Sequence, residues 1–309
     1  MTADSAACTP DVVAAPAVGR EARPVSELGK RVAFSLVAAP LALYLAWLGG
    51  PALVALLAIA SALAAYEFYR LAIGAGSVPL WGHGVVFSAA VPLCVHARFL
   101  GLWTPSLSLV MLAILELLAV ALWVRGSDGK PLEVVGITLL GVFYTGGMLS
   151  FGYALRYQEY AIGASAGTAL MAFPLLLTWG TDIGGYTFGR TMGRRRLMPA
   201  VSPNKTVAGA VGGLGLAVVI SVLYARYALP PLANLGMRVG GAVVFGAAVS
   251  VAGQIGDLVE SMLKRQAGVK DSSHLIPGHG GVLDRVDSLL FTLPVAFVLL
   301  GWLLVPAPR

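Results

Sequence analysis

"TALMAFPLLLTWGTDIGGYTFGR", residues 168–190, carries no charged side chain until Asp182 and then only Arg190. A helix this apolar is either the core of a large soluble domain or a membrane span, and the remaining chain decides between them. Over 309 residues 58% are hydrophobic, only 12% are charged and the mean hydropathy is +0.82. That much apolar surface has no watery outside to coexist with, so the solvent is largely lipid. Asp182 then sits within a span. A carboxylate there is costly unless it faces a cavity, a partner or an ion, which makes it a functional candidate; the plain alternative is a helix end at the membrane surface.

Working outward, about 20 apolar residues are needed to cross a hydrocarbon core of roughly 30 Å. Runs of this kind are centred in 32–48, 51–69, 85–96, 106–124, 133–150, 168–188, 207–228, 237–257 and 287–305, the third interrupted by Pro92. The expected fold is an all-α polytopic integral membrane protein of about nine transmembrane helices. Residues 1–29 alternate Ala and Pro with Asp4, Asp11, Glu21 and Glu27, and read as a disordered cytosolic tail rather than a signal peptide. Residues 30–167 are expected to form the N-terminal membrane helices and 168–309 a C-terminal membrane domain, the half that holds Asp182. Cys8 and Cys94 suggest neither a disulfide framework nor a thiolate metal site.

With the N-terminus cytoplasmic and nine alternating spans, 16 of the 21 Lys and Arg residues fall on the inside. The positive-inside rule therefore supports both the count and the direction. Basic loops can also serve topology alone, so their other residues must be read.

Five of the eight aspartates lie between Asp182 and Asp287. "GRRRLMPAVSPNKTVAG", residues 193–209, places three arginines, Ser202, Lys205 and Thr206 before a helix whose N-terminus is itself electropositive. Such a cytosolic loop suits a polyphosphate or a lipid phosphate. Further on, Asp257, Glu260, Ser261 and Lys264 share one helix face at i, i+3, i+4 and i+7, and Asp284, Asp287 and Ser288 form another. Two acidic faces at adjacent helix ends suit a hard divalent cation, which keeps waters for phosphate oxygens to replace. Between them "PGHGG", residues 277–281, frees the backbone: Gly278, Gly280 and Gly281 allow N–H groups to approach phosphate. Acids for metal, bases for phosphate and glycines to admit it are the parts of phosphoryl transfer. Each alone is common: Asp-x-x-Asp on solvated faces, Gly-Gly in loops, a lone His279 as a structural residue.

Taken together, Ser261, Lys264, Arg265, Lys270, Asp271, Pro277, His279, Gly280, Gly281, Asp284, Arg285 and Asp287 resemble the signature of the phosphatidate cytidylyltransferases, the CDP-diacylglycerol synthases. All twelve positions fit within 27 residues. Asp182, Tyr186, Gly189, Arg190, Gly193, Ser202, Pro203, Lys205, Thr206 and Gly209 resemble the family's upstream elements, and "AAYEFYRL" with Glu67 is similar to a weaker one. Specific likeness covers roughly 180–290. Where this chain has Ala208 the family usually carries Glu.

The resemblance implies an integral membrane enzyme joining CTP and phosphatidate, with Mg²⁺ and room for a second cation, as a homodimer in the bacterial inner membrane. Its multi-pass chain would place the active site toward the cytoplasm, in contact with membrane lipid and with no nucleic-acid partner. Asp257, Asp284 and Asp287 are the expected metal ligands and, with Lys264, the catalytic set. Arg265, Lys270 and Arg285 would neutralise CTP phosphates and pyrophosphate; Asp271, Gly278, His279, Gly280 and Gly281 would shape the nucleotide pocket. Asp182, Arg190, Ser202, Lys205 and Thr206 would complete the wall toward the lipid phosphate. The competing readings are a CTP-dependent kinase of a polyprenol or other lipid alcohol, an inactive relative retained for binding, and a transporter using Asp182 and Asp257 as coupling carboxylates. The Asp-Gly/Ala-Arg array of CDP-alcohol phosphotransferases is not found.

Overall fold

The computed structural model describes residues 40–126, 128–273, 275 and 280–307; the expected tail lies outside them. The described chain is mostly helical. A first helical segment, α1 (40–48), precedes α2 (Gly50–Gly74), α3 (Trp81–Phe99) and α4 (Leu107–Arg125). A continuous rod follows, made of α5 (Pro131–Gly141), a π-helical turn (Val142–Gly147) and α6 (Met148–Arg156). Next come α7 (Gly163–Met192), strands β1 (Arg196–Met198) and β2 (Ser202–Thr206), and α8 (Val207–Leu223), which runs through a second π-helical turn into α9 (Leu229–Ala233). Strand β3 (Leu235–Met237), α10 (Val239–Gln266), α11 (Leu283–Leu303) and β4 (Leu304–Pro306) complete the order.

Six of these rods are long and apolar enough to cross a membrane: α2, α4, α5–α6, α8–α9, α10 and α11. The expected spans at α3 and α7 are helices of 19 and 30 residues whose composition is more polar. Proline marks several starts, at Pro51, Pro131 and Pro230, where a missing N–H leaves no helical bond unmade. The segment 193–206, expected as a loop, closes instead into an antiparallel hairpin with Arg196 opposite Thr206 and Met198 opposite Ser202. Pro203 favours extended backbone at Ser202, and a Val201 N–H to Met198 carbonyl bond of 3.1 Å closes the turn.

One hydrophobic core runs from Ala46 in α1 through Phe68, Phe173 and Phe245 to Leu300 in α11, so the early and late helices share their packing. Phe173 stacks on Tyr224 at 4.5 Å and meets Phe245 at 4.6 Å. A smaller core joins α4 and α5 through Leu117, Ala121, Val134 and Val135. Helices α7 and α8 touch backbone to backbone. A Cβ on Gly213 would stand 2.6 Å from the Thr181 carbonyl oxygen, and one on Gly184 2.8 Å from that of Gly212. Small residues at such a crossing allow the close approach by which helices associate in lipid. This crossing brings Asp182 on α7 beside the start of α8.

Candidate active site

The α7–α8 crossing, the β1–β2 hairpin and α10 line an open cavity of about 650 Å³. Its wall includes Asp182, Arg190, Lys205 and Thr206, four of the five residues expected toward the lipid phosphate, together with Asp257, expected as a metal ligand, and with Arg196, Asn204 and Gln254 added. Each is placed by a local cause. Thr206 ends β2 and caps α8, its hydroxyl accepting from the Gly209 N–H at 3.1 Å, which satisfies one of the unpaired amides of the first turn. One residue earlier, Lys205 reaches α10 and pairs with Asp257 at 2.5 Å. Arg190 lies one turn from Tyr186 and donates to its hydroxyl at 2.8 Å. Gln254 bridges α8 and α10, donating to the Ala210 carbonyl and to Ser250 Oγ, both at 3.2 Å.

A second polar group lies where α10 and α11 meet. Lys264 Nζ stands 2.5 Å from Glu260 and 2.7 Å from Asp284 Oδ1. Glu260 is fully buried and Lys264 partly buried, so the positive charge is shared between two carboxylates largely shielded from solvent. Asp284 Oδ2 accepts from the N–H groups of Ser272 at 3.0 Å and Gly281 at 2.7 Å, and from Ser272 Oγ at 2.8 Å. An acidic residue in the first turn reaching back to an N–H before the helix is the reciprocal half of a helix cap. Glu67, from α2, is buried against the same start of α11.

Between the two groups, Asp182, Asp257 and Asp287 lie within electrostatic reach of one another, with Lys205, Lys264 and Arg285 as the nearby cations. Asp257 is half-buried and Asp287 accepts from the Ser288 N–H at 2.6 Å. Among the described residues no three acidic, histidine or cysteine side chains are close enough to enclose a metal ion by themselves. The donors still suit Mg²⁺, which is commonly held by one or two carboxylates with water and substrate phosphate completing its shell. Asp287 fits that description, and Asp257, whose Oδ2 is held by Lys205, fits it once Lys205 turns to phosphate or with Oδ1 as the ligand. Asp284, expected beside them, has both oxygens engaged, so a cation there must exchange with Lys264 or share Oδ1 with it.

The other expected residues surround these groups. Arg265 crosses to the hairpin turn, donating to the Val201 carbonyl at 3.3 Å. Lys270 and Asp271 are exposed, and Ser202 sits in β2 opposite Met198 without lining the cavity. Gly280 adopts φ +80°, a conformation costly for residues with a Cβ, and Gly281 is buried. Gly278 and His279 lie outside the described residues. The site also holds Glu260, Gln254 and Ser272. Glu260 was visible on the polar face of α10, whereas Gln254 and Ser272 carry no motif that marks them.

The model of the cytidylyltransferase family matches residues 29–303. Proteins named phosphatidate cytidylyltransferase from Staphylococcus saprophyticus and Staphylococcus haemolyticus are each 32% identical to this chain over 217 residues, 70% of this chain and 78% of theirs. The Staphylococcus aureus protein of that name is 33% identical over the same shares.

Proposed function

This chain belongs to the cytidylyltransferase family, and from that premise we infer that it joins CTP to phosphatidate, giving CDP-diacylglycerol and pyrophosphate. The observation that carries the reading is the convergence of Asp182, Arg190, Lys205, Thr206 and Asp257 on one cavity, with the Lys264–Asp284 pair beside it. Cationic side chains and the carboxylates that hold them meet there within a membrane helix bundle, groups that suit a charged lipid head group and a nucleoside triphosphate.

In the proposed step a phosphate oxygen of phosphatidate attacks the α-phosphorus of CTP. The new P–O bond forms as the bond to the β-phosphate oxygen breaks, and pyrophosphate leaves with that electron pair. No protein nucleophile is needed because the attacking oxygen is already anionic, so positioning and charge neutralisation dominate. Lys205 and Arg190 would neutralise the lipid phosphate, and Lys264, Arg265, Lys270 and Arg285 the triphosphate. Asp257 and Asp287 would hold Mg²⁺, which when bound supplies positive charge to phosphate oxygens. Asp284 holds Lys264 in place or joins the metal ligands once Lys264 turns to phosphate.

The remaining proposals concern setting. Nine spans with a cytoplasmic N-terminus are supported by the positive-inside bias, which also puts the site on the face where CTP is found. A bacterial inner membrane location, a homodimer and a second cation follow from the family resemblance.

The test is the purified protein with dioleoyl phosphatidate or, in a parallel sample, a polyprenol, and CTP labelled on either the α- or the γ-phosphate, with and without Mg²⁺. Metal-dependent entry of α-label into lipid with pyrophosphate release is expected. Transfer of γ-label to an alcohol lipid would replace the reading with a lipid kinase.

A further inference from the structure

Glu67 lies in the last third of α2, 1% exposed, in a helix otherwise rich in Ala and Leu. A buried carboxylate in such a place is costly unless it is fully hydrogen-bonded. Its partners all come from the two sides of the segment between α10 and α11. Oε1 accepts from Ser273 Oγ at 2.6 Å and the Val282 N–H at 3.0 Å; Oε2 accepts from Ser272 Oγ at 3.0 Å and the Leu283 N–H at 2.7 Å. Two of these donors are amides at the start of α11, which no helical carbonyl can reach, and a negative charge there also complements the helix dipole.

The contacts continue toward the chemistry. Ser272 Oγ is 3.0 Å from Glu67 Oε2 and 2.8 Å from Asp284 Oδ2, so one hydroxyl proton is shared between two carboxylates. Asp284 in turn holds Lys264 at 2.7 Å. A Cβ on Gly281 would collide with Glu67 Oε2 and Ser272 Oγ, so this carboxylate explains why that position of the motif has no side chain.

We infer that Glu67 is a positioning residue for the nucleotide: it ties both ends of the α10–α11 connection to α2 and, through Ser272 and Asp284, sets the position of Lys264. The inference rests on the cytidylyltransferase reading for its substrate and on hydrogen bonds alone for the clamp. Gln at this position keeps the size but turns one acceptor into a donor facing donors, so the connection loosens while the helix remains.

The experiment uses the full chain in detergent and compares wild type, Glu67→Gln and Ser272→Ala. In Glu67→Gln, hydrogen exchange in a peptide covering Val282 and Leu283 is expected to speed up at least tenfold, with the β1–β2 hairpin unchanged. The KM for CTP is expected to rise at least tenfold while that for phosphatidate moves less than twofold. Ser272→Ala, which leaves both amide contacts intact, is expected to raise the CTP KM with little change in exchange. Unchanged exchange at Val282 and Leu283 would overturn the clamp, as would faster exchange throughout the protein. A fall in kcat with both KM values unchanged would overturn the positioning role and leave a loss of folded enzyme. If Glu67→Gln does not fold, an unaltered CTP KM in Ser272→Ala overturns the link to Lys264. Absence of lipid labelling by wild type would sink the cytidylyltransferase reading, while the exchange measurement still decides the clamp.

Discussion

Lys205 Nζ lies 2.5 Å from Asp257 Oδ2, and that pair joins the hairpin to α10 in the wall of the cavity. Both side chains are about one-third exposed, so the pair contributes at most about 1 kcal/mol to stability. Its charge on a substrate phosphate is worth more. Lys205→Gln is expected to lower kcat/KM about 100-fold, equivalent to about 2.7 kcal/mol, with a nearly unchanged unfolding midpoint. Turnover of labelled CTP and thermal unfolding in detergent check both halves.

Lys264 behaves differently because its partners are buried. Lys264→Met leaves Glu260 and Asp284 facing each other without a cation, and is expected to destabilise the protein by about 3–5 kcal/mol. Adding Glu260→Gln removes one of the two charges. The double variant should regain a large part of the stability and none of the activity, a non-additivity that a double-mutant cycle measures directly.

The α7–α8 crossing gives a matched pair of substitutions. Gly213→Ala puts a methyl 2.6 Å from the Thr181 carbonyl oxygen and forces two helix backbones apart, at a cost of about 1–3 kcal/mol. Gly215→Ala, on the same helix with open space around it, should be neutral or stabilising by up to about 1 kcal/mol. Equal effects in thermal melts would mean that the crossing is looser than described.

Ala208 is the second residue of α8, whose first turn contains no acidic side chain. Ala208→Glu restores the residue usual in the family and complements the positive end of the helix. A gain of about 0.3–1 kcal/mol in stability with activity retained is expected. Loss of activity on this change would indicate that the added charge competes with Asp182 or Asp257 for the cations of the cavity.

The membrane helix class was legible from composition, because hydropathy needs no contact information. Asp182, Lys205 and Thr206 were legible from motif spacing, and the structure gathers them around one cavity. The hairpin was not, since strands of three and five residues with an exposed, charged pattern carry no alternation to recognise. The engagement of Asp284 was hidden for another reason. A motif records which residue types recur in sequence order, whereas Lys264 and Ser272 reach that carboxylate from α10 and from the connection after it. Gln254 was missed because an amide on a mostly apolar helix has no spacing partner; its bond to Ala210 depends on how α8 packs.

The donors that satisfy Glu67 lie 205 to 216 residues after it. In a chain synthesised from its N-terminus, α2 enters the bilayer carrying an acid whose partners do not yet exist. The start of α11 is correspondingly incomplete in any fragment that begins at α7, even one containing every residue of the nucleotide motif. The amides at the start of α11 find their carboxylate on a helix made near the beginning of the chain.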